Sequence, residues 1–258
     1  MDAEGGLRQG FCKSLILFTI IIRRYGYSAG RCYETVSSIN GRVDMRKIRE
    51  QLATGVNLVS DGAWGTFLQA HGLKPGECPE LWCLEHRAEV LAIPRSYIAA
   101  GADMVESNSF GANLFKLELY GLAHRADEIN RAAAAISREA AGPDRHVIAS
   151  VGPTGKMLIT DEVSEDQLYE AFARQLRALE AGGADACCIE TFTALDEAVI
   201  AVKAAKKETR LEIVCTFAFS RTVAGDYRTM MGVSPEAMAG GLIAAGADIV
   251  GANCGMGF

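Results

Sequence analysis

Five polar or nucleophilic residues stand at or just beyond the ends of short apolar runs in this 258-residue chain: Asp61, Asn108, Thr154, Glu190 and Cys254. Carboxylates in such places can hold a cation or an ammonium group. A cysteine thiolate can act as a nucleophile or bind a soft metal. The glycine-rich backbone around Gly62-Ala63 and Ser107-Asn108 can present N–H groups to an anion. Each residue also has a plainer reading. Asp61 is a turn former, Glu190 a salt-bridged rim carboxylate, Asn108 a cap or turn residue, and Cys254 a small buried hydrophobe. Gly255 and Gly257 suit a tight turn that brings backbone close to a ligand.

Three further groups invite a chemical reading, and packing explains the first two better. Cys78, Cys83 and His86 form a C-x4-C-x2-H cluster, but the cysteine spacing is wider than the usual metal knuckle and no second pair lies nearby. Cys187-Cys188 falls within an apolar run that reads as a strand. Its two side chains therefore point to opposite faces and belong to the core. Lys156 could serve a Schiff-base enzyme of the aldolase kind, which wants a lysine at a strand end.

The elements that position these residues repeat. Gly101-Ala102-Asp103 precedes Met-Val-Glu, Gly183-Ala184-Asp185 precedes Ala-Cys-Cys-Ile-Glu, and Gly246-Ala247-Asp248 precedes Ile-Val-Gly. The glycine is a left-handed helix stop, and the apolar run is a strand buried on both faces. Ser164-Glu165-Asp166-Gln167 is a capping box, with Leu168, Phe172, Leu176 and Leu179 on one helical face. Ser234-Pro235-Glu236 opens another helix. A third runs from about Ala194 to Lys207, and Pro94 predicts a kink in the helix before Gly101.

Six strands follow: Asn57–Ser60, Met104–Glu106, Val147–Val151, Ala186–Glu190, Glu212–Phe217 and Ile249–Ala252. Alternating strands and helices imply right-handed parallel crossovers. No Gly-x-Gly-x-x-Gly turn follows the first strand, so a dinucleotide fold is not favoured. The collection of reactive residues at strand carboxyl ends predicts an α/β fold of the TIM (β/α)8 type. Residues 45–258 supply about six of the eight units at roughly 36 residues each, so the last two strands are expected to be missing. Residues 1–44 read as an atypical extension, unstructured or artefactual, with Met45 as the natural start. Their apolar stretch from Ser14 to Ile22 is short for a membrane span and has no prompt cleavage site.

Taken in order, Asp61-Gly62-Ala63-Trp64-Gly65-Thr66, Glu106-Ser107-Asn108-Ser109-Phe110-Gly111-Ala112-Asn113, Ser150-Val151-Gly152-Pro153-Thr154-Gly155, Glu190-Thr191-Phe192 and Asn253-Cys254-Gly255 resemble the homocysteine S-methyltransferase family. That family includes the homocysteine domain of cobalamin-dependent methionine synthase and betaine–homocysteine methyltransferase. The resemblance covers about residues 56 to 258 and implies methyl transfer to the thiol of homocysteine, giving methionine. It also implies zinc, which deprotonates the thiol it binds, held by a cysteine after the sixth strand and an adjacent pair after the eighth. Cys254 matches the first. The pair would lie beyond Phe258, so the chain alone is expected to hold zinc poorly and to be inactive. Asp61 and Glu190 are implied to grip the homocysteine ammonium. Gly62, Ala63, Ser107, Asn108, Thr154 and Asn253 are expected to surround the substrate. The methyl donor stays open among a methyl-corrinoid protein, methylfolate through cobalamin, betaine and S-methylmethionine. A non-catalytic truncated barrel, a barrel-completing subunit, or a methyltransferase acting on another thiol are the alternatives.

The composition agrees with such a chain. Hydrophobic residues make up 49% and charged residues 22% of it, as in ordinary globular domains. The net charge of −6, with no basic cluster interleaved with aromatics, argues against nucleic-acid partners and anionic membranes. Eight scattered cysteines suit a reducing, cytoplasmic setting rather than a disulfide framework. An oligomer is possible.

Overall fold

The structure, a computed structural model, describes residues 47–255. The expectations for residues 1–44, and for Gly257, lie outside these residues. Among them, no helix is long and apolar enough to cross a membrane.

In chain order the elements are α1 (Ile48–Ala53), α2 (Gly65–Ala70), α3 (Trp82–Glu85), α4 (Arg87–Ala99), β1 (Met104–Glu106), α5 (Leu114–Glu118), α6 (Ala126–Ala141), β2 (His146–Val151), α7 (Glu165–Ala181), β3 (Ala186–Phe192), α8 (Leu195–Glu208), β4 (Glu212–Phe217), β5 (Ser220–Arg221), β6 (Tyr227–Arg228), α9 (Pro235–Ala245) and β7 (Ile249–Ala252). Strands β1, β2, β3, β4 and β7 form one parallel sheet in that order, and β5 and β6 make a small antiparallel ribbon. Each sheet strand lies beside the next one in the chain. A doubly wound sheet would reverse its order at a switch point, and this one does not.

One expected strand is corrected. Asn57–Ser60 pairs only through an isolated parallel bridge between Ser60 and Met104. Its neighbour β1 is three residues long and offers few rungs, while Val56 and Val59 remain exposed. Pro94 sits buried inside α4, whose helical span runs unbroken from Arg87 to Ala99.

The repeated Gly-Ala-Asp phrase has a fuller meaning than a helix stop. Gly101, Gly183 and Gly246 all adopt positive φ, at 103°, 101° and 109°. The aspartate two residues later then clamps the start of the preceding strand or strand-like segment. Asp103 accepts the N–H of Val59, Asp185 that of Val147 and Asp248 that of Ile213, at 2.8–3.0 Å. In return each aspartate N–H donates to the carbonyl of the same residue. The clamp sets the strand register three times over.

Side-chain alternation divides the core into two layers. Met104, Ile148, Ala186, Cys188, Val214 and Ile249 pack together on the inner face with Ile48 of α1. Glu212 fixes α1 beneath them by accepting the N–H of Ile48 at 2.7 Å and of Arg49 at 2.8 Å. On the outer face Cys187, Ile189, Ile213, Cys215 and Phe217 pack against α7 and α8 through Leu176, Leu179, Ala201 and Val202. Cys187 and Cys188 thus fall on opposite faces, both buried, as their spacing predicts. The capping box closes as expected, with Ser164 accepting from the Gln167 N–H and Gln167 from the Ser164 N–H.

Candidate functional site

Two residues beyond the inner apolar layer, the same faces become polar. Met104 is followed by Glu106, Ile148 by Ser150, Cys188 by Glu190 and Val214 by Thr216. Four neighbouring parallel strands therefore end in a buried polar layer, its position stepping two residues along in register from β1 to β2 and again from β2 to β3. A cavity of about 280 Å³ opens above this layer. Its walls include Glu106, Ser150, Glu190 and Cys254, the Gly62–Gly65 turn, and the Ser107–Phe110 loop with Pro79 and Glu80.

Glu190 is held from both sides. Ser150 Oγ donates to its Oε1 at 2.5 Å and Asn253 Nδ2 to its Oε2 at 3.2 Å. Burial, together with the nearby Asp61 charge, raises its carboxyl from 4.5 to about 7. Asn253 in turn takes the Thr191 N–H at 3.2 Å and the Thr216 hydroxyl at 3.0 Å on its Oδ1. Its Nδ2 also reaches Cys254 Sγ at 3.5 Å. The residues beside it are strained. Thr191 has φ 63° and Cys254 φ 50°, values rare for side chains with a Cβ. The β3–β4 register shifts between Ile189 and Phe192, and this irregularity re-aims the end of β3. Cys254 is the exposed thiol among the described cysteines. Gly255 follows it where a Cβ would stand 2.7 Å from the Phe219 carbonyl oxygen, so the tight backbone approach expected there is present.

Asp61 lies behind the wall rather than on it. Its two oxygens accept the Glu106 N–H at 2.9 and 3.0 Å, the Trp64 indole N–H at 2.9 Å and the Ser60 hydroxyl at 3.0 Å. Burial still raises its carboxyl from 3.8 to about 6. Gly62, Ala63, Ser107 and Asn108 line the cavity. Asn108 is braced by its Nδ2 to the Pro79 carbonyl at 2.7 Å. Thr154 does not reach the cavity. Its N–H and hydroxyl both donate to Glu197, at 2.8 and 2.6 Å, tying the loop after β2 to α8.

Sequence reasoning gave no role to Glu106, Ser150, Trp64, Glu80 or Phe110, although all of them line the cavity. The signal for Glu106 was available. It stands an odd number of residues after Gly-Ala-Asp, as Glu190 does, and both count by twos from an inner core residue. Burial raises its carboxyl well above the ordinary value, with Glu190 and then Asp61 adding to the effect. Glu80, buried, accepts the Gly111 N–H at 2.7 Å and so shapes the loop after β1.

The cluster of Cys78, Cys83 and His86 is packing, as expected. Both cysteines are buried, burial pushes the Cys78 thiol up to about 11, and the His86 ring lies against Trp82 at 4.1 Å. Lys156 sits outside the cavity within 3.9 Å of Glu162, which removes the Schiff-base reading of this lysine. Among the described residues, no three His, Cys, Asp or Glu side chains gather to hold a metal ion. Cys254 is a single soft donor, and a three-ligand zinc site is not complete within residues 47–255.

These features define a singly wound parallel α/β protein whose strand ends bring buried carboxyls and a thiol to one cavity. The chain belongs to the homocysteine S-methyltransferase family, whose model matches residues 58–257. It is 32% identical over 214 residues to the methionine synthase of Mycobacterium tuberculosis, covering 78% of this chain and 18% of that protein. It is 31% identical over 213 residues to betaine–homocysteine S-methyltransferase 1 of Danio rerio, covering 81% of this chain and 51% of that one. The chain thus spans about half, or less, of the length of these relatives. Among solved structures it resembles the homocysteine methyltransferase MmuM of Escherichia coli. The apo form matches with a TM-score of 0.60 at 20% identity, over 76% of this chain and 72% of that one. The metallated form matches with a TM-score of 0.56 at 17% identity, over 79% and 94%. At these identities the likeness speaks for the fold.

Proposed function

We propose that this chain binds homocysteine and takes part in moving a methyl group to its thiol, giving methionine. The observation that carries the reading is the convergence of Glu190 and Cys254 on one cavity at the carboxyl ends of parallel strands. A substrate with an ammonium at one end and a sulfur at the other matches that pairing of groups. Glu190 accepts the ammonium. The N–H groups of Ala63 and Asn108, which have no acceptor among the described residues, offer hydrogen bonds to the carboxylate. In the reaction the acceptor sulfur forms a bond to the methyl carbon as the carbon–donor bond breaks. The pair of electrons leaves with the donor, and the thiol proton is lost to water. The chain's own contribution is to hold the amino acid so that its sulfur lies at the cavity mouth.

The fold we infer is a TIM-type (β/α)8 barrel to which the described strands contribute. We further infer zinc dependence, with Cys254 supplying one thiolate and the other donors coming from outside residues 47–255. The methyl donor is a methyl-corrinoid or one of the small donors used in the family, and the setting is cytoplasmic.

The test is homocysteine binding and methionine formation by the zinc-supplied chain. Methyl-corrinoid, methylfolate with cobalamin, betaine and S-methylmethionine are offered in turn. Saturable homocysteine binding, turnover with one donor, and loss of turnover in Cys254→Ala with an unchanged circular dichroism spectrum are expected. No homocysteine binding, or full turnover without Cys254, would overturn the reading.

A further inference from the structure

Three acids line the cavity, and two of them are spoken for. Glu80 accepts a backbone N–H and Glu190 three side-chain donors, from Ser150, Asn253 and Thr191. Glu106 is 7% exposed, and among the described residues its carboxyl has no hydrogen-bond or ion-pair partner. A buried carboxyl left unpaired costs free energy, and such groups call for an explanation. No Lys, Arg or His lines the cavity to supply one.

The placement of Glu106 is nonetheless tightly fixed. Asp61 takes its N–H with both oxygens, and Ser137 Oγ donates to its carbonyl at 2.7 Å. It lies on the strand one removed from that of Glu190, with β2 between them, and both side chains line the same cavity. A backbone clamped on both sides and a side chain without a partner, facing a cavity without cations, make a seat for a positive charge brought by a ligand. Asp61 cannot serve equally, because its oxygens are engaged in holding that backbone.

We propose that Glu106 binds the α-ammonium of the acceptor together with Glu190, and so selects an amino-acid thiol over a thiol that lacks the amino group. This rests on the homocysteine reading above and adds the residue that sets its specificity.

The test compares homocysteine with 4-mercaptobutanoate, which is the same molecule without the amino group, by calorimetric titration of the full chain and its Glu106→Gln variant. Glu106→Gln is expected to weaken homocysteine binding by about tenfold or more, the scale of losing one partner of a buried charge pair. It should leave 4-mercaptobutanoate within about twofold, since a neutral amide of equal size keeps the cavity's shape. Glu106→Met, which keeps the volume without the charge, should give the same loss of preference. Equal weakening of both ligands would show that Glu106 only shapes the cavity and would sink the proposal. So would an unchanged preference in both variants. If the parent chain binds no homocysteine, the broader functional reading fails first, and that outcome is distinct from the other two.

Discussion

Glu190→Gln separates the electrostatic cost of the site from its usefulness. In the folded protein the Glu190 carboxyl is raised from 4.5 to about 7, chiefly by burial and further by Asp61. A raised carboxyl contributes stability that is complete below its unfolded value and is lost as pH rises through the folded one. Between pH 5 and pH 8 these values cost the parent protein roughly 2.5 kcal/mol of folding stability at this residue alone. Glutamine has no charge to bury and can still accept from Ser150, while its amide nitrogen replaces the oxygen that accepts from Asn253. The variant should match the parent within about 1 kcal/mol at pH 5. At pH 8 it should be the more stable, by roughly 2 kcal/mol, even as it loses affinity for homocysteine. Urea unfolding of both proteins at the two pH values, followed by far-ultraviolet circular dichroism, measures the difference, and titrating groups remote from Glu190 cancel in the comparison. A stability gap between the two proteins that does not change with pH would refute the account of a strained, buried carboxyl.

Other substitutions probe the scaffold. At Gly182, the C-cap of α7, an added Cβ would meet the Arg131 carbonyl oxygen at 2.5 Å and Ala134 Cβ at 2.7 Å, so Gly182→Ala should destabilise by about 1–3 kcal/mol in a thermal melt. Gly152→Ala should cost much less, because the ring it would strike belongs to the half-exposed Phe110, which can turn aside. Ser164→Ala removes the cap of α7 and should cost about 1 kcal/mol, read from the denaturant midpoint. Alkylation by iodoacetamide at pH 8, followed by peptide mass analysis, should modify Cys254 rapidly while leaving Cys187 and Cys215 intact until unfolding. Burial raises both of those thiols, Cys187 to about 12.

Strand ends were readable where a long apolar run met a glycine stop. The limits of β4 and β7 follow the sequence, because burial on both faces leaves such a run no other use. Asn57–Ser60 failed as a strand because a run of four says nothing about how many rungs its neighbour can offer. At the site, Glu190, Cys254, Gly62, Ala63, Ser107 and Asn108 were found from sequence, and the cavity brings them together. Asp61 and Thr154 were also singled out, but their hydrogen bonds turn them toward the scaffold. A polar residue at a strand end can face the cavity or brace the wall, and sequence alone does not distinguish the two. Glu80 was invisible for a related reason. It comes from a loop about 30 residues before the Gly111 N–H it accepts, a contact set by tertiary folding.

The side-chain period of two explains why this cavity is both acidic and rigid. An inward position on a sheet strand packs or turns polar, and a buried polar group there favours a partner. On β1 through β4 the switch from apolar to polar comes two residues beyond an inner core residue, and partners are found across strands: Ser150 for Glu190, and Thr216 through Asn253. Asn253 is the residue that joins this layer to the thiol. It bonds Glu190, Thr191 and Thr216 at once and lies next to Cys254 in the chain. Rotation at Cys254 would therefore disturb the carboxyl that faces the ligand, and movement of that carboxyl would pull on the thiol's backbone. Glu190 and Cys254 are thus linked through Asn253 and cannot shift independently. The left-handed backbone at Thr191 and Cys254 is where the fold bears the strain of that arrangement.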